Sequence, residues 1–366
     1  MRTRTDIVAR RLHNQRVEHP GSRSPVRLVE WFGAVQAQEY GPARWGLGLR
    51  LPEGTLDTDI TRAFDTGRLL RTHVLRPTWH FVTPADIRWM LELTAPRIQN
   101  AMRPYNRALE LDPPTLARAI RVCERVLRDG RHLTRLELSA AFREVGIEAR
   151  SQRLAHLVMH AELEGVICSG PRRGSSFTYG LLAERAPGAR RLDRDTALAT
   201  LTRRFFRSHG PATVKDAAWW SGLPGKDITR GLDIIRAKRH EMDGLTYWSV
   251  GRSTAAAASP RAGSATEPAI HLLPIYDEYL VAYRDRVAVP HGTATDASGG
   301  GAVLFQHVLL IDGKVAGTWR LRRPASAPGI DVYPRVPLAA GERAGVERAA
   351  ERYARFLGVP VDVTVR

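Results

Sequence analysis

Hydrophobic and polar positions follow one order three times along the chain: short helices, a longer amphipathic helix, and two strands around a tight turn. The middle copy is the clearest, because its apolar periodicity predicts helices at 115–127, 136–145 and 151–164. Residues 166–169 and 177–180 then flank a glycine-rich basic turn, which predicts a β-hairpin. This order is typical of a winged-helix module, and 151–164 takes the place of its recognition helix.

A third copy predicts helices at 196–206, 213–220 and 228–239. The hairpin after them turns at Asp243 and Gly244, a dipeptide that strongly favours tight β-turns. This segment therefore predicts another winged-helix module.

The first copy is looser and contains an irregular insert at 36–51. Helices are predicted near 6–15, 25–34 and 59–66, and a hairpin near 69–82. Departures from local consistency tend to mark functional segments, so the insert is a candidate site.

A flexible linker rich in Ala, Ser, Pro and Gly precedes the last region, where strands at 270–273, 303–311 and 314–321 and a helix at 341–357 predict a small β-rich, barrel-like domain. The predicted fold class is α+β and mostly helical, with tandem winged-helix modules. The expected boundaries are 1–110, 111–190 and 191–251 for the three modules, 252–268 for the linker and 269–366 for the C-terminal domain.

The charge balance points to a polyanionic partner. The net charge is +17 and the pI is near 10.8, which exceeds what solubility requires. Arginine-rich composition from a GC-rich genome is the alternative explanation. The chain has no apolar run of bilayer length and no secretory signal at its start, so we expect a cytoplasmic, nucleoid-associated bacterial protein.

The sequence predicts neither a metal site nor a cofactor. Cys123 and Cys168 are far apart and lack metal-ligand spacing. His156 and His160 stand four residues apart on a predicted helix, but no third ligand accompanies them. A helix that packs or faces DNA is the better interpretation.

Two glutamines flank a small apolar residue directly after a predicted helix. In a helix, residues two apart cannot share a face, whereas in an extended segment they point the same way. If Gln36 and Gln38 act together, the chain must leave the helix there. Gly33 before them and Gly41-Pro42 after them favour that exit.

Residues 35–40 resemble the Gln-apolar-Gln motif of the AlkZ/YcaQ family of winged-helix DNA glycosylases, whose YcaQ branch carries Asp at the second position. Residues 75–80, 273–286 and 311–319 resemble further blocks of that family in the same order. The resemblance spans essentially the whole chain and places it with the AlkZ-type branch.

The resemblance implies a monofunctional glycosylase that hydrolyses the N-glycosidic bond of N7-alkylated guanine in duplex DNA, as a monomer and without a cofactor. Gln36 and Gln38 would hold the attacking water. A non-catalytic DNA-binding protein or transcription regulator is the alternative. The lesion size, and the choice between housekeeping repair and self-resistance to a genotoxin, stay open.

Other polar and aromatic residues are secondary candidates. Asp277 and Glu278 suit a structural ion-pair network better than acid–base catalysis, and the pair Trp219-Trp220 suits core packing better than stacking on a base. The candidates for contact with DNA are Thr78, Trp79, His80, Arg71, Arg76, Arg172 and Arg173.

Overall fold

The computed structural model describes residues 3–251, 267–284, 305–322 and 328–366. After helix α1 (Arg4–Asn14), the first segment contains one helix, a short strand, two helices and a hairpin. Its elements are α2 (Pro25–Phe32), β1 (Val35–Gln36), α3 (Tyr40–Gly48), α4 (Asp57–Asp65), β2 (Leu70–Val74) and β3 (Arg76–Val82). The long helix α5 (Ile87–Ala108) connects it to the next segment.

Two further segments repeat this topology. The second consists of α6 (Pro113–Val126), β4 (Leu133–Thr134), α7 (Arg135–Glu144), α8 (Ser151–Leu163), β5 (Ile167–Ser169) and β6 (Thr178–Leu181), and the short α9 (Leu182–Arg185) follows. The third consists of α10 (Arg194–Ser208), α11 (Val214–Ser221), α12 (Gly225–Ile235), β7 (Lys238–Met242) and β8 (Leu245–Ser249).

Strand pairing is equivalent in the three segments. The short strand pairs with the second hairpin strand, which gives the sheet orders β1-β3-β2 and β4-β6-β5. In the third segment, a bridge between Ala212 and Trp248 takes the place of the short strand. The predicted order of helices and hairpins is therefore present three times.

The C-terminal region is an open sheet covered by a helix. Its elements are β9 (Ile270–Leu273), α13 (Glu278–Val281), β10 (His307–Ile311), β11 (Lys314–Arg322), β12 (Gly329–Pro334), α14 (Ala340–Leu357) and β13 (Asp362–Val365). The strand order is β13-β12-β11-β10-β9, and β13 and β9 form the two edges among the described residues. The β-rich prediction is confirmed, but the sheet does not close into a barrel. Most of the expected linker lies outside the described residues.

Two local predictions were wrong. The insert at 36–51 is not irregular, because α3 occupies Tyr40–Gly48. The third helix of the third segment ends at Ile235 instead of 239, since Arg236 adopts a left-handed conformation with φ of 49° and the chain then enters β7.

The sheet β1-β3-β2 lies between two hydrophobic cores. On one face, Phe81 belongs to a core that extends into the C-terminal region and includes Trp319 and Phe356. On the other face, Val82 belongs to a second core, which includes side chains of α5 and of the third segment such as Trp220. The sheet is therefore packed against a hydrophobic core on each of its two faces.

Candidate active site

The glutamine motif begins on the edge strand of this sheet. Helix α2 ends at Phe32 because Gly33 follows with φ of 92°. Gln36 then pairs with His80 of β3, and the Ala37 N–H donates to the Trp79 carbonyl at 2.7 Å. The predicted exit from the helix into an extended segment is confirmed.

Successive side chains of the motif point to opposite faces of the sheet. Val35 and Ala37 are buried in the hydrophobic core, as predicted. Gln36 points to the other face and is only 6% exposed, whereas Gln38 is half-buried. A cavity of about 10 Å³ lies at the edge of β1 and is lined by Val35, Gln36 and Glu278.

The carboxamide oxygens of both glutamines accept hydrogen bonds from the protein. Arg76 Nη2 donates to Gln36 Oε1 at 2.7 Å, and the Trp79 backbone N–H donates to Gln38 Oε1 at 3.3 Å. Guanidinium and backbone N–H groups can only donate, so these contacts define which end of each amide is oxygen. The NH₂ group of each amide therefore points away from its donor.

Glu278 accepts a hydrogen bond from the edge of β1 that does not pair with β3. The Gln36 N–H donates to Glu278 Oε1 at 2.7 Å, and Glu278 Oε2 accepts from His209 Nε2 and Trp220 Nε1, both at 3.1 Å. Burial raises the pKa of Glu278, but the hydrogen bond and charge of His209 outweigh it and leave the pKa below its usual value. A buried carboxylate thus fixes the backbone of the motif.

The neighbouring Asp277 forms a buried ion pair with Arg50. Both carboxylate oxygens accept from the guanidinium at 2.7 Å, in bidentate geometry. The side chains are 1% and 3% exposed. The Asp277 and Glu278 pair therefore anchors the C-terminal region to the end of α3 and to β1.

A row of polar residues crosses the sheet from Gln36. His80 lies opposite Gln36, and Thr72 lies opposite His80. Burial, and then the charge of Arg76, lowers the pKa of His80 to about 3, so the ring is neutral. His80 Nδ1 donates to the Thr78 carbonyl at 2.9 Å, which leaves Nε2 as an acceptor without a partner among the described residues.

Arg71 clamps the backbone of the motif. Its Nε donates to the Ala37 carbonyl at 2.9 Å and its Nη2 to the Gln38 carbonyl at 3.2 Å. The guanidinium lies 4.3 Å from the ring centre of Trp79 and 4.8 Å from that of Phe177. Only 7% of Arg71 is exposed, and its guanidinium is engaged by the motif backbone. The contact of Arg71 with DNA that the sequence suggested stays a prediction.

The turn between β5 and β6 of the second segment packs partly against the first segment. The Arg172 guanidinium lies 5.2 Å from the ring centre of Tyr40 and 5.4 Å from that of Phe177. Arg173 is exposed and pairs with Glu137 at 2.8 Å. Arg172 is therefore half-buried against aromatic rings, whereas Arg173 is exposed.

Other candidates from the sequence have local partners. His156 Nδ1 lies 2.7 Å from Asn106 Oδ1, and Cys123 and Cys168 are buried. The described part of the chain contains no cluster of three or more potential metal ligands. Within the same residues, no helix has both the length and the apolar character needed to cross a membrane.

Comparison with known proteins identifies the class. A family model described as "DNA glycosylase AlkZ-like" matches residues 29–356. The chain therefore belongs to this family of DNA glycosylases, enzymes that act on N-glycosyl bonds in DNA, as the resemblance implied.

Two similar proteins come from Streptomyces sahachiroi. The sequence is 27% identical over 371 residues, 96% of each chain, to an "Interstrand DNA cross-link repair glycosylase". The fold matches the structure of "DNA glycosylase AlkZ" with a TM-score of 0.77 over the full length of both chains, at 23% identity.

Proposed function

We propose that this protein hydrolyses the N-glycosidic bond of N7-alkylated guanine in duplex DNA, including guanine within interstrand cross-links. Alkylation at N7 makes the base cationic, so it departs as a neutral molecule. Catalysis then requires stabilisation of the oxocarbenium-like sugar and a positioned water, as in glycoside hydrolysis. The name of the curated relative supports the cross-link as a substrate.

The main support for this proposal is that Gln36 and Gln38 lie along one extended edge segment. The carboxamide oxygen of each residue accepts a hydrogen bond from the protein. Arg76 and the Trp79 N–H each occupy one lone pair of a carboxamide oxygen. A second lone pair and the NH₂ group remain on each amide, and they suffice to bind one water and favour a nearby cation.

The three repeated segments are, in this proposal, winged-helix modules that bind duplex DNA within the boundaries expected from the sequence. The protein acts as a monomer. The net charge of +17 supports contact with the phosphate backbone. Thr78, Trp79 and His80 belong to β3, the strand that pairs with the motif, and in this proposal they contact the DNA near the two glutamines.

The test is single-turnover release of N7-methylguanine from a duplex, measured by mass spectrometry. Gln36→Ala and Gln38→Ala should each slow release about 10- to 1000-fold, with DNA affinity and unfolding temperature nearly unchanged. Gln38→Asp should retain activity, because a carboxylate stabilises a cation and the YcaQ branch carries Asp there. Gln99→Ala, on α5, is the matched control.

The product should be an abasic site in an unbroken strand. Wild-type rates in both alanine variants would remove the catalytic role of the glutamines. Absence of base release by the wild-type protein, with tight duplex binding, would favour a non-catalytic DNA-binding protein instead.

A further inference from the structure

Trp219 is the exposed member of the tryptophan pair on α11. It is 37% exposed, whereas Trp220 is fully buried, so the prediction of core packing is met by Trp220 alone. The Trp219 indole N–H donates to the Val281 carbonyl at 3.0 Å, which fixes the ring. A large aromatic side chain held at the surface is an informative exception to burial and often marks a contact site.

The exposed indole lies one side chain away from Gln36. The Arg76 guanidinium carbon is 5.5 Å from the Trp219 ring centre, and the same guanidinium donates to Gln36 Oε1 at 2.7 Å. Trp220 is linked to the motif as well, because its indole N–H binds the carboxylate of Glu278.

A glycine makes this arrangement possible. Helix α11 ends at Ser221, and Gly222 follows with φ of 70°. A Cβ at Gly222 would lie 2.3 Å from the carbonyl oxygen of Leu75, at the tip of the β2-β3 hairpin. The end of α11 therefore rests directly on the hairpin tip, which brings Trp219 over Arg76, the residue after Leu75.

We propose that Trp219 stacks on a nucleobase that is unstacked from the duplex at the lesion. This inference rests on the proposed function, in which Gln36 and Gln38 act at the deoxyribose of the damaged nucleotide. The bases at that step must then lie close to the amides, and only the Arg76 side chain separates the Trp219 ring from the Gln36 amide. Aromatic rings accept any base by stacking, and glycosylases gain access to a target base by unstacking it.

The experiment compares Trp219→Ala and Trp219→Phe with a matched control, Tyr333→Ala. Tyr333 is 39% exposed and has the Arg320 guanidinium 5.7 Å from its ring centre, but it belongs to the C-terminal sheet. The probe is a duplex with one N7-methylguanine whose sugar carries a stabilising 2′-fluorine. A 2-aminopurine placed beside the lesion is dim while it stacks on a base or on an indole, and it brightens when it is unstacked and has no ring partner.

Trp219→Ala should weaken binding of the lesion duplex about 5- to 100-fold, the range that stacking of one base on an aromatic ring supplies. It should leave binding of the undamaged duplex and the release rate at saturating protein within about 3-fold. It should also raise the 2-aminopurine fluorescence of the complex above that of the wild type, because the unstacked base no longer has an indole to stack on. Trp219→Phe should retain most of the affinity, and Tyr333→Ala should behave as wild type.

Two results would overturn the stacking role. In the first, Trp219→Ala binds the lesion duplex as tightly as the wild type does and leaves 2-aminopurine as dim as in the wild-type complex. In the second, it loses release at saturation with unchanged affinity, which means that the ring only covers Arg76. If the wild-type protein releases no base from an unfluorinated lesion, the proposed function fails whatever Trp219 contributes to binding.

Discussion

The guanidinium of Arg71 donates a hydrogen bond to the backbone carbonyl of Ala37, the apolar residue between the two motif glutamines. A second donation to the carbonyl of Gln38 makes the contact bidentate. The guanidinium also packs against the rings of Trp79 and Phe177. Burial lowers the pKa of Arg71. A buried cation with these partners serves to hold the motif in its extended conformation.

Arg71→Lys should slow single-turnover base release by about 10- to 100-fold, because an ammonium cannot reproduce the planar two-donor fork and small misplacements of catalytic groups are costly. The matched control is Arg172→Lys, since Arg172 also packs on Phe177 but donates no hydrogen bond to the motif carbonyls. The control should keep the wild-type rate.

A double-mutant cycle separates positioning from general stability. If Arg71 acts through the motif, Arg71→Lys should cost little further rate once Gln38 is already Ala, whereas the losses in unfolding free energy should add. Rate losses that multiply independently would contradict a positioning role.

Glu278→Gln should lower the free energy of unfolding by about 3–5 kcal/mol, as expected when one partner of a buried ionic network is removed. A carboxamide has only one acceptor oxygen. It cannot accept both the Gln36 N–H at one end and the His209 and Trp220 N–H groups at the other. Urea unfolding measures the stability, and base release measured where the variant is folded should also slow. The control is Glu164→Gln, at an exposed carboxylate. Full stability in Glu278→Gln would mean that the carboxylate does not organise β1.

The sequence predicted the motif geometry well because local signals determine it. Gly33 ends the helix, and alternation in an extended strand then separates Gln36 from Val35 and Ala37. The partners of the motif could not be predicted in the same way. Glu278 is 242 residues from Gln36 along the chain, and only the folded sheet edge brings them together.

Arginine roles were similarly hidden from the sequence. The sequence does not show whether an arginine on a strand is buried or can reach a phosphate, and Arg71 lies against rings from two segments.

Helix α5 had no predicted counterpart, and it contains Pro96 and Pro104, residues that normally interrupt helices. Packing of its apolar face against both adjacent segments overrides that local preference.

His80 should make stability depend on pH between about 3 and 6.5. Its folded pKa of about 3 lies below the unfolded value of 6.5, so the unfolded chain binds more protons in this window. Stability due to the neutral ring is complete above pH 6.5 and is lost as pH falls, by up to about 1.4 kcal/mol per pH unit.

Urea unfolding of wild type and His80→Asn at pH 7, 5.5 and 4.5 measures this effect. The stability advantage of the wild type should shrink as pH falls, because asparagine does not titrate. The exposed His19 provides the control variant His19→Asn. A constant difference between wild type and His80→Asn across the three pH values would contradict the assignment of a neutral, buried His80.

Affinity for duplex DNA should fall steeply with salt, because a chain of net charge +17 releases condensed counterions when it binds phosphates. The exposed Arg173, between β5 and β6, is the residue that tests an individual contact. Arg173→Ala should reduce the slope of log affinity against log salt by about one, as expected for one phosphate contact. Glu137→Gln is the matched control, since it removes the ion-pair partner of Arg173 but keeps the cation. That variant should keep or increase the slope.

Fluorescence anisotropy with an undamaged duplex from 50 to about 200 mM salt covers the informative range. An affinity that does not change over this range would show that charge does not drive docking. An unchanged slope in Arg173→Ala would place the turn between β5 and β6 away from the DNA.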